Sequence, residues 1–315
     1  VNDVTYRLDR HPTMSQHPVT PMQESDLRKH LALQTGRPVN HMDVFTLDAD
    51  QRERQQIFQS LVGNQSAYLL FDTYSVDHLV HAGELMLANK QKGTQLLVGS
   101  SGMDYALAFP LQKSGKIAKP MEIPKPGKAD NLIVMGGSCS PVTAGQLKYM
   151  IEQGNEDIRI DTMKLINELE RNSEIERVER AALKALDTGK VPVMYTATGP
   201  DDPSIEMTKH QLSESGNQDV VISELLAGTQ GVITREILEK TGKCRVVVAG
   251  GDTSGYVSRA LGIYALETLC PIAPGAPLCV AHSTDRRFDG LEISLKGGQN
   301  GNEKYFESIL QGKIL

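Results

Sequence analysis

Three short segments combine paired glycines with hydroxyl, amide or carboxylate side chains. They are Gly136-Gly137-Ser138-Cys139-Ser140-Pro141, Gly250-Gly251-Asp252-Thr253-Ser254-Gly255 and Lys296-Gly297-Gly298-Gln299-Asn300-Gly301. Glycine lets backbone N–H groups approach a ligand closely, and a helix starting just downstream offers unpaired N–H groups that suit phosphate. In the first segment Ser138 and Ser140 add hydroxyl donors, with an ordinary N-cap turn as the alternative. In the second, Asp252 or Thr253 alone would cap a helix, and two glycines ahead of the cap exceed what capping needs. That excess favours a phosphate or nucleotide role. The third segment reads alone as a glycine-rich hairpin, but a third such loop in one half of the chain points to one shared pocket. Lys296 is then either an added positive charge at that pocket or an exposed strand-end lysine.

Other chemistries lack their residues. There is no GxxxxGK[ST] phosphate loop, no GxGxxG after a strand and no HExxH. Gly99-Ser100-Ser101-Gly102-Met103 departs from the GxSxG nucleophile elbow at its last position. His11, His17, His30 and His41 have no ligand spacing and read as surface or loop residues, so no metal site is assigned to protein side chains. The four cysteines, Cys139, Cys244, Cys270 and Cys279, form no CxxC pair. Free thiols imply a reducing compartment, and a cytoplasmic location is expected.

The elements that must position these segments alternate. In the first part, Ala67–Asp72 reads as a buried strand, 76–88 as a helix, Gln95–Gly99 as a strand and 100–109 as a helix, a β-α-β-α order. Ahead of them, Val4–Leu8 resembles the end of a strand, 9–22 a His- and Pro-rich loop, and 24–33 and 48–61 helices. The Pro-, Gly- and Lys-rich stretch 112–130 reads as a linker, which places a boundary near residue 128. Beyond it, strands are expected at 132–135, 158–160, 191–197, 245–249, 278–282 and 291–295. Helices are expected at 143–153, 168–186, 225–241, from 254 onward and at 302–310. The fold expected is α/β in two domains, 1–128 and 129–315, with mainly parallel sheets. In such sheets ligands bind at the carboxyl ends of strands, where all three glycine segments fall.

Composition agrees with a globular chain of 315 residues, 39% hydrophobic and 23% charged. A net charge of −6 gives no basic excess, which argues against nucleic acid as the main partner. No apolar run reaches the ~18–20 residues of a membrane helix. The polar first residues do not read as a signal peptide, and a start at Val1 on an apparent strand end reads as a processed or incomplete chain.

The three segments in this order resemble the four-carbon acid sugar kinase family. The resemblance rests on Gly137-Ser138-Cys139-Ser140-Pro141-Val142-Thr143 with Gln146, on Val248-Ala249-Gly250-Gly251-Asp252-Thr253-Ser254-Gly255 and on Leu295-Lys296-Gly297-Gly298. Upstream, Tyr6-Arg7, His11-Pro12, His17-Pro18-Val19-Thr20-Pro21-Met22, Asp72 and Val98-Gly99-Ser100-Ser101-Gly102 also fit. It implies a carboxyl-terminal domain that binds ATP with Mg²⁺ and an amino-terminal domain that binds a four-carbon sugar acid such as threonate, erythronate or an oxo-tetronate. Nucleotide contacts are implied at Ser138, Ser140, Gly250, Gly251, Asp252, Thr253, Gly297 and Gly298. Asp252 is implied as a direct or water-mediated partner of Mg²⁺. Family members open with a strand carrying a GDD-T-G type motif that this sequence lacks. By the usual size of a domain, on the order of a hundred residues are then expected ahead of Val1. The substrate domain is on that reading partial, the base that activates the sugar hydroxyl is unassigned, and a non-catalytic nucleotide-binding fragment is the alternative. An uncovered sheet edge in such a domain would favour homodimerisation. A ribokinase-like enzyme with Asp252 as base would need a Gly-Ala-Gly-Asp order that is absent.

Overall fold

In the computed structural model the described residues are all except 1–3, 13, 16–19, 64–67, 90–93, 119–122, 124, 215–218 and 243. The chain divides into two units, Val1–Met121 and Glu122–Leu315.

The first unit carries a 3-10 turn at Leu8–Arg10, then α1 (Leu27–Ala32), β1 (Val39–Met42), α2 (Val44–Asp48), α3 (Gln51–Val62), β2 (Tyr68–Phe71), α4 (Val76–Ala88) and α5 (Ser101–Lys113). Asp26, Asp43, Asp50 and Ser75 each accept a backbone N–H in the first turn of the helix they precede, which fixes where α1 to α4 begin. The helix expected over 48–61 is α3, which starts only after its cap Asp50, and the short α2 ahead of it was not expected. β1 pairs in parallel with β2. Its Val-Asn-His-Met sequence has no apolar alternation, so it carries no strand signal. His41 is therefore a strand residue rather than a loop one, and its Nε2 lies 2.8 Å from Asp72 Oδ2.

Three expectations fail in this unit. Residues 4–7 are irregular rather than a strand end, with the 3-10 turn following. The strand expected over Gln95–Gly99 has no sheet partner among the described residues, and Leu96 and Val98 are 84% and 83% exposed. Apolar composition supplies a face but not the ladder a strand needs. α5 also runs through Pro110 instead of stopping at 109. Proline cannot donate to the Ala106 carbonyl, and Gly83 of α4 packs against that carbonyl so closely that a Cβ would overlap it. The helix break thus becomes a helix–helix contact, within a core of Met42, Leu47, Phe58, Ala82, Leu85, Met86 and Ala106.

The second unit contains β3 (Leu132–Gly136), α6 (Pro141–Glu152), β4 (Glu156–Arg159), α7 (Thr162–Ile166), α8 (Glu168–Asp187), β5 (Pro192–Tyr195), α9 (Pro203–Glu214), α10 (Asp219–Thr241), β6 (Arg245–Ala249), α11 (Gly251–Ala260), β7 (Ile263–Ala273), β8 (Ala276–Ser283), β9 (Leu291–Lys296) and α12 (Tyr305–Gln311). The sheet has seven strands in the order β4-β5-β3-β6-β9-β8-β7. β4 to β9 along that order are parallel, while β8 and β7 run antiparallel at one edge. Every residue of β3 and β6 is buried, as continuous apolar runs covered on both faces must be.

Alternation along these strands splits the core in two. Ile133, Met135, Val246 and Val248 meet Val178 of α8, Ile233 and Ile237 of α10 and Val257 of α11. Leu132, Val134 and Val247 meet Leu147 and Met150 of α6 and Tyr305, Phe306 and Ile309 of α12. The helix after β3 therefore lies on one face and the helix after β6 on the other. Adjacent parallel strands whose helices depart to opposite faces leave a crevice at their carboxyl ends. α7, α9 and the edge strand β7 carried no signal in the sequence reading. Residues 264–268 of β7 are exposed, so this strand lacks the inward apolar set that marks a half-buried strand. Among the described residues no helix is long and apolar enough to cross a membrane.

Candidate functional site

The three glycine segments follow β3, β6 and β9, which are neighbours in the sheet. The Gly137 N–H donates to the Ala249 carbonyl at 2.8 Å and the Gly250 N–H to the Lys296 carbonyl at 3.0 Å. Each loop is thus stitched to the next strand before it leaves the sheet. A Cβ on Gly137 would overlap Thr253 Oγ1 and stand 2.8 Å from Gln230 Oε1. Gly250 has φ of +132°, a conformation that L side chains rarely adopt. These two positions need glycine for reasons of packing and backbone geometry.

A buried polar brace locks the loops. Ser140 Oγ caps α6 by accepting the Thr143 N–H at 3.1 Å, and it donates to the Gly298 carbonyl. Thr143 Oγ1 donates to the same carbonyl at 3.0 Å and accepts from Lys296 Nζ at 3.0 Å. Gln146 Nε2 reaches the carbonyls of Asn300 and Asn302, both at 2.9 Å. On the other face Gln230 Nε2 donates to the Gly136 carbonyl at 3.0 Å, and Thr253 Oγ1 donates to Gln230 Oε1 at 3.1 Å. Apart from Gln146 Oε1, which has no partner among the described residues, the network is satisfied, and networks of this kind hold a loop in one shape.

The brace sorts the residues singled out from sequence. Ser140 and Thr253 are buried, and their hydroxyls serve the brace. Ser138 is half-buried, and its Oγ accepts the Ser140 N–H at 3.2 Å. Gly298 faces loop one, where its carbonyl is the shared acceptor and a Cβ would crowd Ser140. The third segment is therefore a loop tied to α6, not a hairpin. Gly251 and Asp252 are exposed in the first turn of α11, and a Cβ on Gly251 would meet nothing within 4 Å. Gly297 is exposed, with a Cβ there coming 2.7 Å from Asn300 Oδ1.

The two helices that open at the crevice differ. α6 begins with Pro141, which has no N–H, and Ser140 caps it. α11 begins after Gly250 with no side-chain cap. Its first-turn amides and the positive end of its dipole face the open side of Gly251, the arrangement that binds anions at helix N-termini.

Gln230 was not legible as a site residue, and of the two readings open for Lys296 the exposed one fails. Gln230 lies mid-helix in α10 with no motif around it, and Lys296 is 1% exposed rather than a surface lysine. Further along the same sheet end, a cleft of about 630 Å³ is lined by Arg159, Ile160, Thr162, Asp202, Ser204 and Met207 among others. Asp202 accepts from Thr198 N–H, Thr198 Oγ1, Ser204 N–H and Arg159. Burial alone would raise its carboxyl; these hydrogen bonds hold it well below the usual range. In the first unit Asp72 follows β2 beside His41, Ser100 and Ser101 open α5, and His17 falls outside the described residues.

Residues 133–306 match the model of a nucleotide-binding C-terminal domain, and residues 1–107 that of a sugar-binding N-terminal domain. The chain is 38% identical over 315 residues to 3-oxo-isoapionate kinase of Paraburkholderia graminis and covers 66% of that protein. It is 28% identical over 303 residues to 3-oxo-tetronate kinase of Pseudomonas savastanoi pv. phaseolicola, 95% of this chain and 64% of that one. A solved structure from Salmonella typhimurium LT2 shares the fold with a TM-score of 0.68 at 22% identity, over 93% of this chain and 64% of the other. The chain thus spans just under two thirds of the length of these relatives. With one model covering more than half of the 315 residues and the other lying ahead of it, the chain belongs to the four-carbon acid sugar kinase family, whose members join a sugar-binding N-terminal domain to a nucleotide-binding C-terminal domain.

Proposed function

We propose that the crevice between β3, β6 and β9 holds the phosphates of ATP, and that the chain is the nucleotide-binding part, with some of the acceptor part, of a kinase that phosphorylates a four-carbon sugar acid. The observation that carries this is the uncapped amino terminus of α11, opening beside Gly250 and Gly251 at the point where helices depart to opposite faces. On this reading residues 129–315 form the donor domain and 1–128 the substrate-binding portion, with threonate, erythronate or a 2- or 3-oxo-tetronate as acceptor. The names of the relatives support the acceptor class.

The residues fit the nucleotide in kind. Backbone N–H groups at Gly251, Asp252 and Thr253 serve the phosphate oxygens, and Gly250, whose own N–H is bonded to the Lys296 carbonyl, lets the backbone come close to them. Ser138 with Gly297 and Gly298 walls the opposite side, and Ser140 holds that wall in place. When bound, Mg²⁺ supplies neutralisation of phosphate charge, and exposed Asp252 is the carboxylate placed to meet it directly or through water. Phosphoryl transfer needs positioning and charge stabilisation more than covalent help from the protein. The rigid brace suits that requirement. The four free thiols support a reducing compartment such as the cytoplasm.

The test is thermal unfolding with and without Mg-ATP, followed by turnover with candidate acids. A ligand at a hundred times its Kd adds about 2.7 kcal/mol, so the midpoint should rise by several degrees. A cooperative transition without any shift would overturn the nucleotide assignment. A shift without turnover on any of these acids would leave nucleotide binding as the function of this chain.

A further inference from the structure

Lys296 ends β9 beneath the third loop, with its side chain inside the protein at 1% exposure. An ammonium has three donors. One reaches Thr143 Oγ1 at 3.0 Å, another points toward the Gly298 carbonyl at 3.4 Å, and the Phe306 ring lies 5.9 Å from the nitrogen. A hydroxyl, a carbonyl and a ring face all favour a cation, yet among the described residues no carboxylate pairs with it. A buried charge without a counter-charge is costly, and the group either gives up its proton or gains an anion. Both of its polar partners belong to the brace that fixes the wall of the crevice.

We propose that Lys296 is a positioning residue whose protonation is linked to nucleotide binding: its ammonium clamps the third loop to α6 from within, and the bound phosphates supply the negative charge that the fold omits. The inference rests on the nucleotide reading above. Burial already holds the Lys296 amine down to about 8, so a fraction of it is neutral near pH 8 before a ligand arrives. A polyphosphate beside the clamp raises its proton affinity. Binding then takes up a proton, and affinity is full below the free pKa and falls as pH rises through it.

The other groups on the surrounding elements leave this titration distinct. Burial pushes up Tyr305 of α12 and the thiols of Cys270 on β7 and Cys279 on β8. Tyr149 of α6 is raised by its hydrogen bond to Glu307 of α12. Lys148 pairs with Glu152, Lys304 lies over Tyr149, and Asp252 stands exposed at the mouth.

Calorimetric titration of the chain with Mg-ADP at pH 8, in two buffers of different ionisation enthalpy, reads the proton directly. The expected uptake is on the order of half a proton per nucleotide, with affinity falling up to ~10-fold per pH unit above pH 8. Lys296→Met and Lys296→Arg should both bind without uptake, the arginine variant more tightly because it keeps the charge. Where the methionine variant fails to fold, the arginine variant gives the comparison, and uptake persisting in it would overturn the proposal. Wild-type binding with no uptake and a constant Kd from pH 7.5 to about 9.5 would overturn it while leaving the nucleotide reading intact. No binding at any pH would overturn both.

Discussion

Thr253 closes over Gly137 so tightly that no side chain fits between them: its Cβ would lie 2.9 Å from a Cβ at 137, and its hydroxyl closer still. The first loop and the start of α11 are therefore one packed unit, with Gln230 bonded to both Gly136 and Thr253. Separate motifs in sequence act as a single wall because α10 reaches between them.

Gly137→Ala should break that wall. Overpacking in a tight interior costs about 1–3 kcal/mol, so the unfolding midpoint should drop, and Mg-ATP should no longer raise it. Thermal melts of the variant with and without nucleotide measure both effects.

Gly251→Val makes the opposite forecast for stability. A Cβ at 251 projects into open space, and valine is a better helix former than glycine. Stability should stay within about 1 kcal/mol of wild type, while the branched side chain blocks approach to the α11 amides. A folded variant whose melting point still rises with Mg-ATP would remove this helix end from the site.

Gln230→Leu keeps the volume and deletes the bridge. The Thr253 hydroxyl would be left buried without its partner, at about 1–3 kcal/mol, while the Gly136 carbonyl would keep the Thr196 N–H at 3.2 Å. Urea denaturation should show the loss as a lower midpoint at unchanged slope. An unchanged midpoint would mean that Gln230 is not holding the loops.

Asp202 gives a pH signature. Its carboxyl is held below the ordinary value by hydrogen bonds that outweigh burial, so its contribution is full above the unfolded pKa of about 4 and is lost as pH falls below it. Asp202→Asn should lower stability at pH 7 by roughly 1–3 kcal/mol. The gap between variant and wild type should narrow below about pH 4. A gap that stays constant from pH 7 to about pH 3 would refute the assignment.

Legibility in the sequence followed the strength of the local signal. The runs Leu132–Met135 and Val246–Ala249 announced the central strands, and the helix at Val76–Ala88 was read with its observed bounds. Polar β1 and exposed β7 gave none of the alternation that marks a strand. Gln95–Gly99 gave an apolar signal but has no sheet partner among the described residues.

Local chemistry alone set the glycine segments, their place after apolar strands and the likeness of the whole chain to one family. Glycine is legible because backbone conformation and close approach are local demands. Only the tertiary structure decided which residues became brace and which stayed open. Ser140 and Thr253 turned inward, α6 was capped while α11 was not, and Lys296 was buried with no carboxylate partner among the described residues. Those outcomes depend on contacts such as Thr143 with Gly298 and Gln230 with Gly136, between residues far apart in the chain. Strand order brings them together, and no spacing in the sequence records it.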